Sequence, residues 1–190
     1  MIRFSSILFF SFILLTSCSH NRFLKTMGLF LGQEIAIPSG LDAIKMGKDC
    51  FMTNCPQTPI KMIVWFDSLS CTSCASSTMY EWNNIVIDAD SMSQWFSIVF
   101  LFSPRKKDSY VVNAILKGSK CEYPIFMDAK GNFIKQNPHL PQNQQLHTFL
   151  LDKNNKVVLV GSPLHNPPLW ELYKSTIQKM IENDGIFPEQ

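Results

Sequence analysis

Residues 60–74 read IKMIVWFDSLSCTSC, and this stretch decides the fold class. Its first part, Ile60–Phe66, is apolar apart from one lysine and rich in β-branched and aromatic side chains, which is typical of a buried strand. Two cysteines, Cys71 and Cys74, follow where the pattern predicts the start of a helix over residues 70–87. The stretch therefore predicts a strand, a short loop and a helix, with two thiols at the junction.

Two thiols three residues apart have a physical rationale at such a junction. Cys71 falls where free backbone N–H groups and the positive end of the helix dipole stabilise a thiolate, and in such sites the pKa drops from about 8.5 to roughly 3.5–7.5. Cys74 lies one turn further on and can attack a mixed disulfide to close the ring. The spacing and its context therefore predict a redox-active dithiol.

Strands and helices alternate through the rest of the chain. Such alternation, followed by a terminal hairpin and helix, indicates an α/β sheet covered by helices on both faces. The predicted strands are 96–102, 124–127, 148–151 and 156–160, and the predicted helices are 108–117, a short helix before residue 148, and 169–183. The apolar face of the last helix is predicted to comprise Leu169, Leu172, Tyr173, Thr176, Ile177 and Met180.

The first seventeen residues have the plan of a secretory signal. A basic start at Arg3 precedes the apolar run Phe4–Leu15, which is too short to span a bilayer as a mature helix. The run ends in Leu15-Thr16-Ser17-Cys18, which resembles the lipobox of bacterial lipoproteins. The resemblance implies cleavage before Cys18 and lipidation of its thiol, whereas the alternative is an ordinary secretory signal with an incidental cysteine.

The predicted organisation is a lipoprotein signal peptide at 1–17, a tether and N-terminal extension at 18–59, the α/β domain at 60–183 and a C-terminal tail at 184–190. Within the extension, Gln33 to Pro38 is predicted to form a short strand. No acidic run follows Cys18, so we expect the protein to be anchored to a bacterial membrane of the cell envelope and to face the periplasm, an oxidising compartment.

The composition excludes several classes of function. Hydrophobic residues make up 46% and charged residues 17% of the chain, which excludes a disordered polyelectrolyte. The 17 basic residues nearly cancel the 15 acidic ones, and the net charge of +2 gives no reason to expect a nucleic-acid partner. The four histidines are not spaced as metal ligands on one helix, so no metal site is expected from them.

Three segments carry a family likeness: 66–74 around the CxxC motif, 123–128 (YPIFMD) and 148–152 (TFLLD). Together they resemble the thioredoxin-like superfamily, in particular its membrane-tethered TlpA-like group. The stretch from Leu150 to Tyr173 is also similar to lipoproteins of Bacteroides type in this superfamily. The resemblance implies a thioredoxin-like fold with a central mixed β-sheet. It also implies that Cys71 attacks a protein or small-molecule disulfide and that Cys74 resolves the mixed disulfide. No metal or organic cofactor is implied, and the electrons would come from a membrane-borne dithiol partner.

The chain departs from the family pattern at positions around the motif. Leu146 stands where the family carries a cis-proline, and Trp65 stands where many relatives have a buried acid. Asp67, two residues further on, is either a proton-transfer group or simply the residue that ends the strand. His147 adjoins the predicted substrate loop, where it either stabilises a thiolate or is a solvated loop residue.

The remaining cysteines allow several interpretations. Cys50 and Cys55 are predicted to form a small local disulfide, the alternative being two free thiols. Together with Cys71 and Cys74 they also lie near the spacing of a four-cysteine zinc ribbon, which is a less favoured hypothesis. Cys121 is expected to be a buried apolar thiol rather than a redox group.

Two further functions compete with the oxidoreductase. A non-catalytic binding lipoprotein would use the CxxC motif as a structural disulfide. A peroxiredoxin-like peroxidase would need a serine or threonine and a proline before its reactive cysteine. Ser68 lies three residues before Cys71, but the proline is missing.

Overall fold

The computed structural model describes residues 21–50, 55–68, 79–119 and 121–188. Its centre is a seven-stranded mixed sheet in the order β2-β1-β5-β4-β3-β6-β7. The strands are β1 (Asp42–Lys45), β2 (Lys48–Cys50), β3 (Ile60–Phe66), β4 (Phe96–Phe102), β5 (Ile125–Met127), β6 (Thr148–Leu151) and β7 (Val157–Val160). The described helices are α1 (21–30), α2 (Asn83–Asp90), α3 (Ser109–Ser119), α4 (Asn132–Gln136) and α5 (Pro167–Glu182).

The middle of the sheet is formed by β3 and β4, as predicted from their apolar sequences. The two strands run parallel in a register that pairs Ile60 with Phe96 and Phe66 with Phe102. On its other side β3 pairs antiparallel with β6, whereas β4 pairs parallel with β5. Strands that are apolar at almost every position need cover on both faces, which explains their central position.

Helices cover both faces of the sheet, which confirms the predicted fold class. Alternate side chains of a strand point to opposite faces, so Met62 and Val64 of β3 join one apolar cluster while Ile63 and Trp65 join another. The first cluster is completed by α2, α3 and α5, and the second by α1 and α4.

The predicted helix over residues 70–87 lies partly outside the described residues. Its described part begins with a 3₁₀ turn at Met79–Trp82 and continues as α2, which ends at Asp90 rather than Ile87. Met79 and Trp82 are buried, as expected for core residues.

The sheet begins N-terminal to residue 60, in a segment where the sequence pattern predicts no strand. A β1–β2 hairpin pairs antiparallel with β5, with Ala43 opposite Phe126. Its turn contains Gly47 at φ 72°, and a Cβ atom there would lie 2.3 Å from the carbonyl oxygen of Lys117. These strands have only three or four residues and are partly exposed, so they carry little periodic signal.

The short strand predicted over Gln33 to Pro38 is reduced to a single bridge. Glu34 pairs with Lys156 at the start of β7, and backbone hydrogen bonds join Gly32 and Gln33 to Val157. This bridge fixes the segment after α1 to the edge of the sheet.

The last helix, α5, is close to its prediction, with one correction to its buried face. Asn166 caps its N-terminus by accepting a hydrogen bond from the Leu169 amide at 3.2 Å. Trp170 is buried, whereas Leu172 is 48% exposed, so the predicted place of Leu172 in the core is wrong. The reason is geometric, because Trp170 lies three residues before the buried Tyr173 and shares its face. Within the described ranges no helix is long and apolar enough to cross a bilayer.

Candidate functional site

The two cysteines predicted to be catalytic, Cys71 and Cys74, lie outside the described residues, as does the predicted lipidation site Cys18. The site is therefore built from the described residues that lead up to the CxxC motif. The strand β3 ends at Phe66, five residues before Cys71. The carboxyl ends of β3, β4 and β5 lie at the same edge of the sheet because the three strands are parallel.

Four polar residues are buried at this edge, and we call them the polar edge: Asp67, Ser103, Asp128 and His147. The first three directly follow β3, β4 and β5. The parallel ladder continues into them, because the Ser103 amide donates to the Phe66 carbonyl and the Asp128 amide donates to the Phe102 carbonyl. Four polar side chains at one buried edge need internal partners, so their hydrogen bonds show what each can do.

Ser103 and Asp128 form a network that supports the structure. The indole Nε1–H of Trp65 donates to Ser103 Oγ at 3.0 Å, and Ser103 Oγ donates to Asp128 Oδ2 at 3.4 Å. The Asp128 carboxylate also accepts the backbone amides of Asn132 at 2.9 Å and Phe133 at 2.8 Å. The acid therefore holds the start of α4 against the sheet, and its oxygens are occupied by structural bonds.

The sequence pattern does not predict this network, because Ser103 and Asp128 stand out only as polar residues that follow strands. The available signal was their shared position, since each directly follows a strand that pairs in parallel with its neighbour. Trp65, at the position of the family's buried acid, supplies the donor that connects the network to β3.

His147 is buried rather than solvated, with 3% of its surface exposed. Its Nε2 is 2.8 Å from the carbonyl oxygen of Pro141, and its ring centroid is 4.3 Å from that of Trp65. The Trp65 amide donates to the His147 carbonyl at 2.9 Å, which fixes the backbone as well. The interpretation of His147 as a solvated loop residue is therefore wrong.

The hydrogen bond to Pro141 defines the tautomer of His147. A carbonyl oxygen only accepts, so Nε2 carries the proton and Nδ1 is a free acceptor. Nδ1 is buried, and no described residue forms a hydrogen bond with it. Burial lowers the pKa of His147, while the hydrogen bond to Pro141 and the charge of Asp67 oppose that shift. The result is a neutral imidazole with a basic nitrogen available for a hydrogen bond or a proton.

Asp67 lies at the end of β3 with its side chain buried. Gln144 Nε2 donates to Asp67 Oδ1 at 3.3 Å, so the acid connects the end of β3 to the turn before β6. The charge of Asp67 also acts on His147. The structure thus brings together two of the three predicted accessory residues from segments eighty residues apart in the chain.

Leu146, the third predicted accessory residue, is buried in the 3₁₀ turn Gln144–Leu146. The Asn143 side chain caps this turn by accepting from the Gln145 amide at 3.0 Å. Among the described residues no peptide bond is cis, so the backbone enters β6 through a trans bond at Leu146. Leu146 therefore contributes to the packing beneath the turn.

Cys50 and Cys55 carry free thiols in this structure, where the predicted disulfide between them is not formed. Both pack against the apolar cluster on the α1 side of the sheet. Burial raises the pKa of Cys55 to about 11, with a smaller opposing effect from Lys61. A thiol with a raised pKa is a weak nucleophile at neutral pH, so Cys55 is not suited to catalysis, and its pairing with Cys50 stays a prediction.

Cys121 is half-buried rather than fully buried, which corrects the expectation of an enclosed apolar thiol. Its Sγ is 3.2 Å from Ser119 Oγ, and it lines a groove of about 600 Å³ beside Tyr80 and Ile87. Cys121 precedes β5, whereas the polar edge lies at the opposite, carboxyl end of that strand. The structure therefore separates Cys121 from the polar edge by the length of β5.

Comparisons with solved structures identify the fold. The chain is similar to AhpC of Enterococcus faecalis, with a TM-score of 0.52, 12% identity, and coverage of 84% of this chain and 99% of that one. An uncharacterized conserved protein of Geobacillus kaustophilus has a TM-score of 0.55 and 16% identity, covering 84% of this chain and 86% of that one. The thioredoxin domain of a Bacteroides vulgatus thiol-disulfide oxidoreductase has a TM-score of 0.46 and 13% identity, covering 77% and 97%.

The first two similarities, with the sheet order and the helices on both faces, define a thioredoxin-like α/β fold. At such identities the likeness concerns the fold and not the chemistry. No protein-family model matches the chain, and no curated protein sequence matches it significantly.

Proposed function

We propose that the protein is a thiol–disulfide oxidoreductase that uses Cys71 and Cys74, is lipid-anchored through Cys18, and faces the periplasm. The observation that supports this proposal most is the polar edge. In this thioredoxin-like sheet a buried acid, Asp67, and a buried neutral imidazole, His147, lie at the edge where β3 leads toward the CxxC motif. Asp67 directly follows β3, and His147 lies against Trp65, two residues before Asp67.

The proposed reaction moves two electrons from the protein dithiol to a substrate disulfide. The Cys71 thiolate attacks one sulfur of the substrate, a new S–S bond forms, and the substrate's second sulfur leaves as a thiolate that takes up a proton. Cys74, after losing its proton, attacks the Cys71 sulfur, releases the reduced substrate and leaves a Cys71–Cys74 disulfide. A membrane-borne dithiol donor then reduces this disulfide, and the substrate is a protein or small-molecule disulfide.

His147 has the properties of an accessory base for this cycle. Its Nδ1 is unprotonated and buried, and burial lowers the pKa of the ring. We expect His147→Gln, in which the amide can still donate to the Pro141 carbonyl, to lower turnover mainly below neutral pH and to leave the alkaline limb unchanged. A pH–rate profile that is identical to the wild type would remove His147 from the proposed mechanism.

The proposal is tested by turnover of a disulfide substrate with dithiothreitol as the electron source. Cys71→Ser is expected to abolish turnover, because no second thiol of the motif can replace the attacking one. Cys121→Ser provides the matched control, since Cys121 is a half-buried thiol at the end of β5 opposite the polar edge. Turnover that survives Cys71→Ser, or that is lost with Cys121→Ser, would contradict the assignment.

A non-catalytic binding lipoprotein remains the second candidate, and one observation favours it. The turn before β6 has a buried Leu146 in trans where the resembling family presents a cis-proline to its substrate. In that case the wild-type protein would show no turnover, and the CxxC disulfide would resist reduction under conditions that leave the fold intact.

A further inference from the structure

The outer side of the helix α1 combines exposed apolar and basic residues. Leu29 is 66% and Leu24 is 44% exposed, and Arg22 and Lys25 are exposed between and beside them. The opposite side is held to the domain by Phe30, whose buried ring contacts Phe149 edge to face at 5.1 Å between centroids. The rotation of the helix is therefore fixed by its packing, and these leucines cannot turn inward without losing that contact.

The charge of this segment is of one sign. Between residues 21 and 33 the sequence has two basic residues and no acidic one, the first acid being Glu34. Exposed leucines and basic side chains on the same side of a helix favour contact with a bilayer that contains anionic lipids, because apolar burial and electrostatic attraction both contribute to binding. Each basic residue near such a surface contributes about a fivefold preference for it.

The position of α1 in the chain points to the same partner. Only three peptide steps separate the predicted lipid anchor Cys18 from residue 21, and an extended chain spans at most about 3.6 Å per residue. Residue 21, the first described residue of the helix, therefore lies within about 11 Å of the anchor. A helix this close to the bilayer with an exposed apolar and basic side has the membrane surface as its nearest partner.

We propose that the outer side of α1, formed by Arg22, Leu24, Lys25 and Leu29, docks on the anionic surface of the bilayer that holds the lipid anchor. The inference rests on the anchoring part of the proposed function and is independent of the redox chemistry. Because α1 is fixed to the sheet by Phe30 and by the bridge between Glu34 and Lys156, docking would orient the whole domain relative to the membrane rather than leave it on a free tether.

The test uses the lipidated full-length mature protein in vesicles of phosphatidylcholine and phosphatidylglycerol, with and without bromine on the acyl chains. The variant Leu29→Trp adds an indole to the proposed docking side, and bromine quenches indole emission only at short range. Val111→Trp is the matched control, because Val111 is also an exposed apolar helical residue, 52% exposed, but on α3. The emission added by each variant is the difference between its emission and that of the wild-type protein.

We expect bromine to quench the emission added by Leu29→Trp by about half, and the emission added by Val111→Trp not at all. Equal quenching of the two would overturn the docking. Adding Lys25→Glu to Leu29→Trp should reduce quenching in vesicles that contain phosphatidylglycerol but not in vesicles of phosphatidylcholine alone. Unchanged quenching in the vesicles that contain phosphatidylglycerol would overturn the electrostatic part of the proposal.

Disulfide turnover measured on the same vesicles separates the two proposals. An inactive protein whose Leu29→Trp emission is quenched would contradict the proposed chemistry and support the docked helix. Protein that washes off the vesicles would contradict the anchor, and the docking with it.

Discussion

The burial of His147 predicts a specific pH dependence of stability. The imidazole is neutral in the fold, with Nε2–H bonded to Pro141 and Nδ1 without a hydrogen bond from any described residue. Its pKa is lowered in the folded state, chiefly by burial, whereas the unfolded chain has a histidine pKa of about 6.5. Below that pH the unfolded state takes up a proton that the folded state resists. Stability is therefore fully present above about pH 6.5 and falls as the pH is lowered.

The change in the free energy of unfolding has an upper limit, because it comes from the protonation of one group, His147. One proton changes the free energy of unfolding by at most about 1.36 kcal/mol per pH unit. Between pH 7.5 and pH 5.5 the contribution of His147 is therefore at most about 1.4 kcal/mol, because only the interval below the unfolded pKa counts. His147→Gln removes the titration, and the glutamine amide can still donate to the Pro141 carbonyl.

The assay is urea unfolding under reducing conditions at both pH values for the wild type and His147→Gln. Groups that titrate identically in the two proteins cancel in the difference, so the wild type should lose up to about 1.4 kcal/mol more than the variant on acidification. An equal loss in both proteins, or a larger loss in His147→Gln, would show that His147 does not resist protonation in the fold.

Three further substitutions have outcomes that equilibrium unfolding can measure. Asp128→Ala should cost about 2–4 kcal/mol, because it leaves two backbone amides at the start of α4, one buried and one half-buried, without their acceptor. A loss below about 1 kcal/mol, the contribution of one ordinary hydrogen bond, would contradict the network. Gly47→Ala should cost about 1–3 kcal/mol more than Gly40→Ala. Both glycines have positive φ, but only a Cβ at Gly47 meets a carbonyl, that of Lys117 at 2.3 Å, so equal losses would contradict the hairpin's docking. Tyr173→Phe should cost about 1–2 kcal/mol, since it removes the hydroxyl that donates to the Gly161 carbonyl, and an unchanged midpoint would contradict that bond.

The central part of the fold was predictable because its signal is local and strong. Ile60–Phe66 and Phe96–Phe102 are largely apolar seven-residue runs, each followed by a polar residue, and the structure has strands with those bounds. The hairpin between the predicted strands 148–151 and 156–160 was predictable as well, because Asn and Asp favour tight turns. In the structure Asn155 adopts φ 57°, and the Asp152 carboxylate accepts two backbone amides of the turn.

The N-terminal part was not predictable, because its stability comes from partners far along the chain. The strands β1 and β2 have four and three residues; β1 gains its place by pairing with β5, some eighty residues later, and β2 pairs with β1. Similarly, the segment after α1 adds a single bridge to β7 instead of a strand. Short elements of this kind have no periodicity of their own to read.

The site was predictable in its residue types but not in its geometry. Asp67 was recognisable at the end of a buried strand and His147 before another, and the antiparallel pairing of β3 with β6 explains why they come together. The burial of His147 was not predictable, since it depends on the ring of Trp65, 82 residues earlier in the chain, and on a turn that brings the Pro141 carbonyl to its Nε2. The lipid anchor, the periplasmic location and the roles of the two motif cysteines stay predictions.

Trapping of a mixed disulfide is the most direct measurement of the proposed chemistry. Cys74→Ser removes the resolving thiol, so the protein should accumulate a covalent adduct with a substrate disulfide at Cys71, located by mass spectrometry of its peptides. Cys71→Ser should give no such adduct. No adduct at Cys71, or an adduct that forms as quickly at the half-exposed thiols Cys50 and Cys121, would contradict the assignment of the CxxC motif as a redox site.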